Sequence, residues 1–186
     1  MKKVLYGNEI DRMPDWSFRA MSLIFNFTDL LISTDKRLTP FAIKAGNTVI
    51  DYGCGTGRYL KKASELVGDK GMVYAVDIHE LAIKSAVQIS EKFRLNNIKP
   101  ILTDGKTVNI PAHAADVIYA LDMFHMVKDP TSFLTELHRL CKPDGLLYIE
   151  DGHQPRTATK EKILSSGLWD ITEMKKKFIT CKPKKT

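Results

Sequence analysis

The 186 residues are 44% hydrophobic and 27% charged, the usage of a soluble globular protein, which excludes a disordered or low-complexity chain. The net charge of +6 sits at one end: residues 175–186 hold six lysines and no acid, leaving 22 basic against 22 acidic residues over 1–174. Such a terminus is more often a solvated strand and tail than an RNA-binding face, so nucleic acid is disfavoured as a partner.

The length suits one domain. Cys54, Cys141 and Cys181 are an odd number, widely spaced and without C-x-x-C, so neither a disulfide framework nor a zinc site is expected, and no metal is predicted. The apolar run after Lys2-Lys3 ends at Gly7-Asn8-Glu9, too soon for a signal-peptide core. The most apolar stretch, residues 21–32, is interrupted by Asn26, Thr28 and Asp29 and falls short of the ~20 residues that span a bilayer. These features point to a cytoplasmic protein with no membrane span.

In chain order, residues 1–45 hold Trp16, Phe18, Met21, Ile24, Phe25 and Leu31 at spacings that predict one or two amphipathic helices. They read as an N-terminal helical cap belonging to the same domain as residues 46–186, with Trp16, Phe18, Phe25 and Phe27 as candidates to line a pocket. From Thr48 onward β-branched runs alternate with helical patterns, the mark of a parallel sheet covered by helices. Strands are predicted at 48–51, 72–76, 100–103, 115–121 and 146–150, and helices at 58–67, 80–95 and 159–165. Asp129-Pro130 predicts a further helix, an N-cap followed by proline at the first helical position, with Phe133, Leu134, Leu137 and Leu140 as its buried stripe. Residues 169–174 and 177–181 read as a terminal antiparallel pair.

Gly53, Gly55 and Gly57 follow the first of these strands directly and open a helix, where an open parallel sheet presents its crevice to ligands. The third glycine of a dinucleotide fingerprint would fall at position 58, which is Arg58, and no Gly-Lys-Ser/Thr follows. A pyrophosphate cradle is disfavoured and the pattern is not a P-loop, so the glycines point to close approach of backbone to another ligand. Asp51 places a negative charge at the strand end, which suits a cationic or amine-bearing group. Asp77, at the end of the second strand, can accept hydrogen bonds from both hydroxyls of a ribose, and Asp104, after the third, can accept from an adenine amino group. Together they describe an adenosine that carries an amino acid.

The run Val49-Ile50-Asp51-Tyr52-Gly53-Cys54-Gly55-Thr56-Gly57 resembles the first motif of the class I S-adenosylmethionine-dependent methyltransferases. Val73 to Asp77 is similar to that family's ribose motif, Leu102-Thr103-Asp104 through Pro111 to its adenine motif, and Leu140 to Leu146 to the turn before its fifth strand. The likeness is strong over residues 45–151 and nearest the small branch that includes quinone-biosynthesis C-methyltransferases. It implies an α/β, Rossmann-like, mostly parallel sheet of about seven strands, the last antiparallel, with helices on both faces. It also implies S-adenosylmethionine as cofactor and S-adenosylhomocysteine as product. Asp51, Tyr52, Gly53, Cys54, Gly55 and Gly57 would contact the methionyl part, Asp77 with Ile78 the ribose, Asp104 with Gly105 the adenine, and Leu121 would lie near the sulfonium.

Methyl transfer is an in-line displacement that alignment and water exclusion accelerate, and it needs a base only when the acceptor must lose a proton. After the fourth strand, Asp122 and His125 are the candidate catalytic residues, His125 as the group best placed to take a proton near pH 7. Met123, Phe124 and Met126 point to an apolar pocket and a small-molecule acceptor. His153 is a further candidate, and His79 is expected to flank the adenosine. No Asn/Asp-Pro-Pro-Tyr/Phe follows the fourth strand and no cysteine lies in an acceptor loop, which disfavours base N-methylation and covalent cytosine chemistry. Two other readings remain: an RNA or protein methyltransferase that uses the lysine tail, and a cofactor-binding protein without catalysis.

Overall fold

A computed structural model describes residues 4–6, 10–20, 22–23 and 34–185. Seven strands form a mixed, mostly parallel sheet flanked by helices, as the alternation of short apolar runs and amphipathic patterns predicts. The chain divides into two compact units, Arg12–Leu102, and Thr103–Thr186 with Met1–Asp11.

In the first unit the strands β3 (Thr48–Tyr52), β4 (Met72–Asp77) and β5 (Ile98–Leu102) lie parallel in the order β5-β4-β3. Thr48 pairs with Met72 and Tyr52 with Val76, so one step further along the register Asp77 is level with Gly53. Val49, Ile50, Val73, Ala75 and Val76 are fully buried, the near-continuous apolar run of a strand covered on both faces. The helix Leu60–Val67 buries Leu60, Ala63 and Val67, and Gly68 ends it in a positive-φ conformation. The helix Glu80–Phe93 ends at Arg94 in the left-handed region and buries Ala82 and Ala86. Phe93, at the end of this helix, is exposed, with its ring beneath the ammonium groups of Lys61 and Lys92 at 4.9 and 5.2 Å. The third strand begins at Ile98 rather than Pro100, since Asn97 ties this edge down by donating from Nδ2 to the carbonyls of Ser64 and Gly68.

The second unit holds β6 (Ala115–Ala120), β7 (Cys141–Glu150), β8 (Trp169–Met174) and β9 (Phe178–Pro183) in the order β6-β7-β9-β8. β7 runs parallel to β6, and β9 runs antiparallel to both β7 and β8. The helix Pro130–Leu140 starts as predicted: Asp129 accepts from the Ser132 N–H, and Phe133, Leu134, Leu137 and Leu140 are buried. At ~1.5–3 kcal/mol per buried side chain of this size, that stripe outweighs the modest intrinsic propensity of an eleven-residue helix. β7 starts five residues before the predicted Leu146, and its register slips between the Ala115–Cys141 and Val117–Leu146 pairs, so the Pro143-Asp144-Gly145 turn is an irregularity within the strand. Trp169 is fully buried and its indole donates to the Leu134 carbonyl. The last helix, Arg156–Ser165, begins three residues earlier than expected.

Near the N-terminus the structure differs from the predicted helical cap in part. Val4–Tyr6 and Ile10–Arg12 (β1 and β2) pair as a two-stranded sheet, residues 15–20 and 22–23 are helical, and Thr34–Arg37 is a short 3-10 helix. Met21, Ile24, Phe25, Phe27 and Leu31 lie outside the described residues. Among the described residues no helix is long and apolar enough to cross a membrane.

Candidate functional site

The turn after β3 is held by backbone. The N–H groups of Gly53 and Cys54 both donate to the Val76 carbonyl, at 2.8 and 3.1 Å, and Gly57 N–H donates to Cys54. Gly53, Gly55 and Gly57 all have positive φ, which L side chains adopt only with strain. Two of them differ in what lies beyond the backbone. A Cβ on Gly57 would stand 2.6 Å from Ile89 Cδ1, whereas one on Gly55 would meet nothing closer than the Gly53 carbonyl at 4.0 Å. Gly57 therefore makes room for the helix Glu80–Phe93, and Gly55 faces open space.

Asp77 closes this turn. Its Oδ2 accepts from the Gly55 N–H and its Oδ1 from the His79 N–H, both at 2.8 Å. Burial raises its pKa, and hydrogen bonds from the backbone of Gly55, His79 and Ile78 oppose that rise. With three backbone N–H groups on its two oxygens, the carboxylate keeps acceptor capacity for a further donor. Asp51 is 2% exposed, and Tyr52 is buried beside it. The Cys54 thiol is buried and pushed well up by burial first and then by the charges of Asp77 and Asp51, so the turn sits in a negative field with a neutral thiol. Thr56 Oγ1 is a buried oxygen with no hydrogen-bond partner among the described residues.

His79, 3% exposed, caps the helix Glu80–Phe93 by accepting the Leu81 N–H on Nδ1. Phe18 packs on this ring at 4.5 Å, and Nε2 lies 3.6 Å from Asp15, too long for a hydrogen bond. Burial lowers the imidazole pKa, Arg12 adds to that, and Asp15 opposes it. Of the predicted pocket aromatics, Phe18 is thus committed to His79, and Trp16 is exposed.

In the second unit, Thr103 Oγ1 accepts from the Gly105 N–H and Asp104 Oδ1 from the Lys106 N–H, with Asp104 exposed. The segment that follows is clamped by a pair that sequence reasoning passed over. Glu136, buried on the helix Pro130–Leu140, accepts from the Val108 N–H and from Arg139, whose guanidinium also donates to the carbonyls of Val108 and Ile110. The Glu-x-x-Arg spacing on one helical turn was the available signal.

Leu121 is buried at the end of β6, and Asp122 follows in the left-handed region at φ 54°. His125 lies in the short 3-10 helix Phe124–Met126. Its Nδ1 is buried without a hydrogen-bond partner among the described residues and abuts Gly152, where any Cβ would collide with it. His153 meets the ring edge-on at 4.9 Å. Burial lowers the His125 pKa, Asp122 opposes this, and His153 and Lys162 push the same way as burial. Lys162 is held by Gln154 Oε1 at 2.8 Å. Each unit thus gathers its own set: Asp51, Gly53, Gly55, Gly57 and Asp77 in the first, and Asp122 and His125, with Gly152 and His153, in the second.

A family model described as a methyltransferase domain matches residues 43–180. The ubiquinone/menaquinone biosynthesis C-methyltransferase UbiE of Teredinibacter turnerae is 27% identical over 139 residues, 74% of this chain and 56% of the relative. The corresponding protein of a Shewanella species is 28% identical over 121 residues, 64% of this chain and 48% of the relative. The chain spans about half the length of the curated relatives it matches. Among solved structures, a SAM-dependent methyltransferase from Aquifex aeolicus superposes with a TM-score of 0.75 at 24% identity, covering 92% of this chain and 98% of the other. A TehB-like SAM-dependent methyltransferase from Corynebacterium glutamicum gives 0.72 at 17% identity, covering 92% and 100%. These likenesses show the same fold, and the match over residues 43–180 shows that the chain belongs to the methyltransferase domain family.

Proposed function

We propose that the protein is an S-adenosylmethionine-dependent methyltransferase acting on a small, partly apolar acceptor. The observation that carries the reading is the glycine turn closed onto Asp77: a backbone surface left bare at Gly55, beside a buried carboxylate with acceptor capacity left for one more donor. The residues fit the cofactor. The negative field of Asp51 and Asp77 suits a ligand bearing a sulfonium and an ammonium group, and the unpartnered Thr56 hydroxyl is a further polar atom at the turn. When bound, S-adenosylmethionine supplies an activated methyl group on a sulfonium.

In this reading Asp51 and the backbone of Tyr52, Gly53, Cys54, Gly55 and Gly57 hold the methionyl part, and Asp77 with Ile78 orients the ribose. Asp104 with Gly105 receives the adenine, and Leu121 excludes water near the sulfonium. These last assignments rest on family membership. Exclusion of water and alignment are what such residues contribute to an in-line displacement. The relatives named for quinone biosynthesis support a small-molecule acceptor, and three buried thiols suit a reducing, cytoplasmic setting.

Calorimetric titration with S-adenosylmethionine, S-adenosylhomocysteine and NAD tests the reading. Binding of both adenosyl ligands and not of NAD is expected. Failure of folded protein to bind either adenosyl ligand overturns it, and retained binding with no transfer to any acceptor points to a non-catalytic protein. Loss of RNA affinity with added salt, steep enough to count several phosphate contacts, would instead favour an RNA acceptor.

A further inference from the structure

Glu136 and Arg139 do more than close one turn of the helix Pro130–Leu140. Both Glu136 oxygens accept from the Arg139 guanidinium, at 2.6 and 2.7 Å, and the pair then reaches the segment that follows Gly105. Glu136 takes the Val108 N–H at 2.8 Å, while Arg139 donates to the carbonyls of Val108 and Ile110, each at 3.0 Å. Val108 is thus gripped by its donor and its acceptor at once, which fixes the planes of both its peptide groups. Residues 103–114 are neither helix nor strand, so no ladder of backbone bonds does this for them. Stability alone does not call for such a pair, because desolvating the two charges offsets most of their attraction, and apolar side chains of similar size hold a core as well. What apolar side chains cannot do is meet an N–H and a C=O, so the pair adds placement of backbone.

That placement carries to Asp104. Its Oδ1 accepts the Lys106 N–H at 2.9 Å, and Thr103 Oγ1 accepts the Gly105 N–H at 3.0 Å, with Gly105 at φ 80°. Lys106 stands two residues before Val108, a span of about 7 Å at most. A shift at Val108 therefore moves the turn that orients the exposed Asp104 carboxylate.

We infer that Glu136 and Arg139 are positioning residues for base selection: they hold the segment after Gly105 so that Asp104 accepts from the amino group of the cofactor's adenine and rejects a purine with oxygen in that place. This rests on the methyltransferase reading and on Asp104 as the acceptor for adenine within it. A carboxylate attracts the amino group and repels a 6-oxo group, and both effects depend on direction. Once the segment is free to shift, gain and repulsion relax together, so selectivity for the base falls further than binding of the rest of the ligand.

Calorimetry of the full chain compares S-adenosylhomocysteine with S-inosylhomocysteine, which carries oxygen in place of the amino group, under conditions where melts show each variant folded. The wild type is expected to prefer the adenosyl ligand about tenfold to a hundredfold, the worth of a hydrogen bond to a charged group. Glu136→Gln breaks one arm of the fork, and Arg139→Lys keeps the charge without the fork. Each is expected to weaken S-adenosylhomocysteine about tenfold and S-inosylhomocysteine by less than about threefold. With Asp104→Ala in place, Glu136→Gln is expected to leave both affinities unchanged, because the group it positions is gone. Equal losses for the two ligands, an unchanged preference in both variants, or a full effect of Glu136→Gln on Asp104→Ala overturns the inference and leaves the methyltransferase reading standing. A wild type that binds both ligands equally overturns it too, and a wild type that binds neither overturns the methyltransferase reading and this inference with it.

Discussion

Asp77 and Gly55 are joined by a 2.8 Å hydrogen bond from the glycine N–H to the carboxylate. The residue proposed to hold the ribose thus also fixes the turn proposed to hold the methionyl part. Because the other oxygen accepts from His79, an amide in place of the carboxylate must turn its NH2 toward one of two N–H donors. Asp77→Asn is therefore expected to cost about 1–3 kcal/mol of stability in urea melts. It should also weaken S-adenosylhomocysteine by more than tenfold in calorimetry. A variant with wild-type stability and lost binding would show that the carboxylate serves the ligand alone.

The last two glycines of the turn separate by what a methyl group would meet. Both Gly55→Ala and Gly57→Ala place a side chain at positive φ, at a cost of about 1–2 kcal/mol. Gly57→Ala must in addition displace the Ile89 side chain, so it is expected to be the less stable of the two. Gly55→Ala fills only open space, so its larger effect is expected on cofactor affinity. Thermal melts and titrations of both variants check this, and equal affinity losses at equal stability would contradict it.

Glu136 and Arg139 lead to a third expectation. Removing a buried carboxylate that holds a guanidinium and a backbone N–H is expected to cost about 3–5 kcal/mol for Glu136→Ala. Glu136→Gln keeps an acceptor and should cost less. In the glutamine variant, amide exchange at Val108 should rise selectively over that in the helix Pro130–Leu140. Uniform exchange across the second unit would mean that the pair stabilises the unit as a whole, not the segment after Gly105.

These residues also show what the sequence can disclose. Asp129-Pro130 and the glycine turn were legible because the signal is local: an N-cap before proline, or glycines where φ must be positive. The slip within β7 was not, because Gly145 is demanded by carbonyls of Ala115 and Asp116 on the neighbouring strand. His125 was visible as a titratable group after the fourth strand. What presses on its Nδ1 is Gly152, a residue just past the end of another strand, and periodicity carries no trace of that contact.

His79 gives an expectation for pH. Its pKa is lowered by burial and by Arg12, against the pull of Asp15. Between that lowered value and the ordinary one near about 6.5, the folded chain binds fewer protons at this ring than the unfolded chain does. The associated stability is therefore present above about pH 6.5 and is lost as pH falls through the window. His125 is shifted the same way, so removing one ring should flatten the decline and not abolish it. His79→Asn does not titrate and retains a side-chain acceptor for the Leu81 N–H at the helix start. Melts across about pH 5 to 7 are expected to show a shallower loss for this variant than for the wild type. Parallel curves would mean that His79 takes up a proton without cost, and that its contact with Phe18 and Asp15 opens when it does.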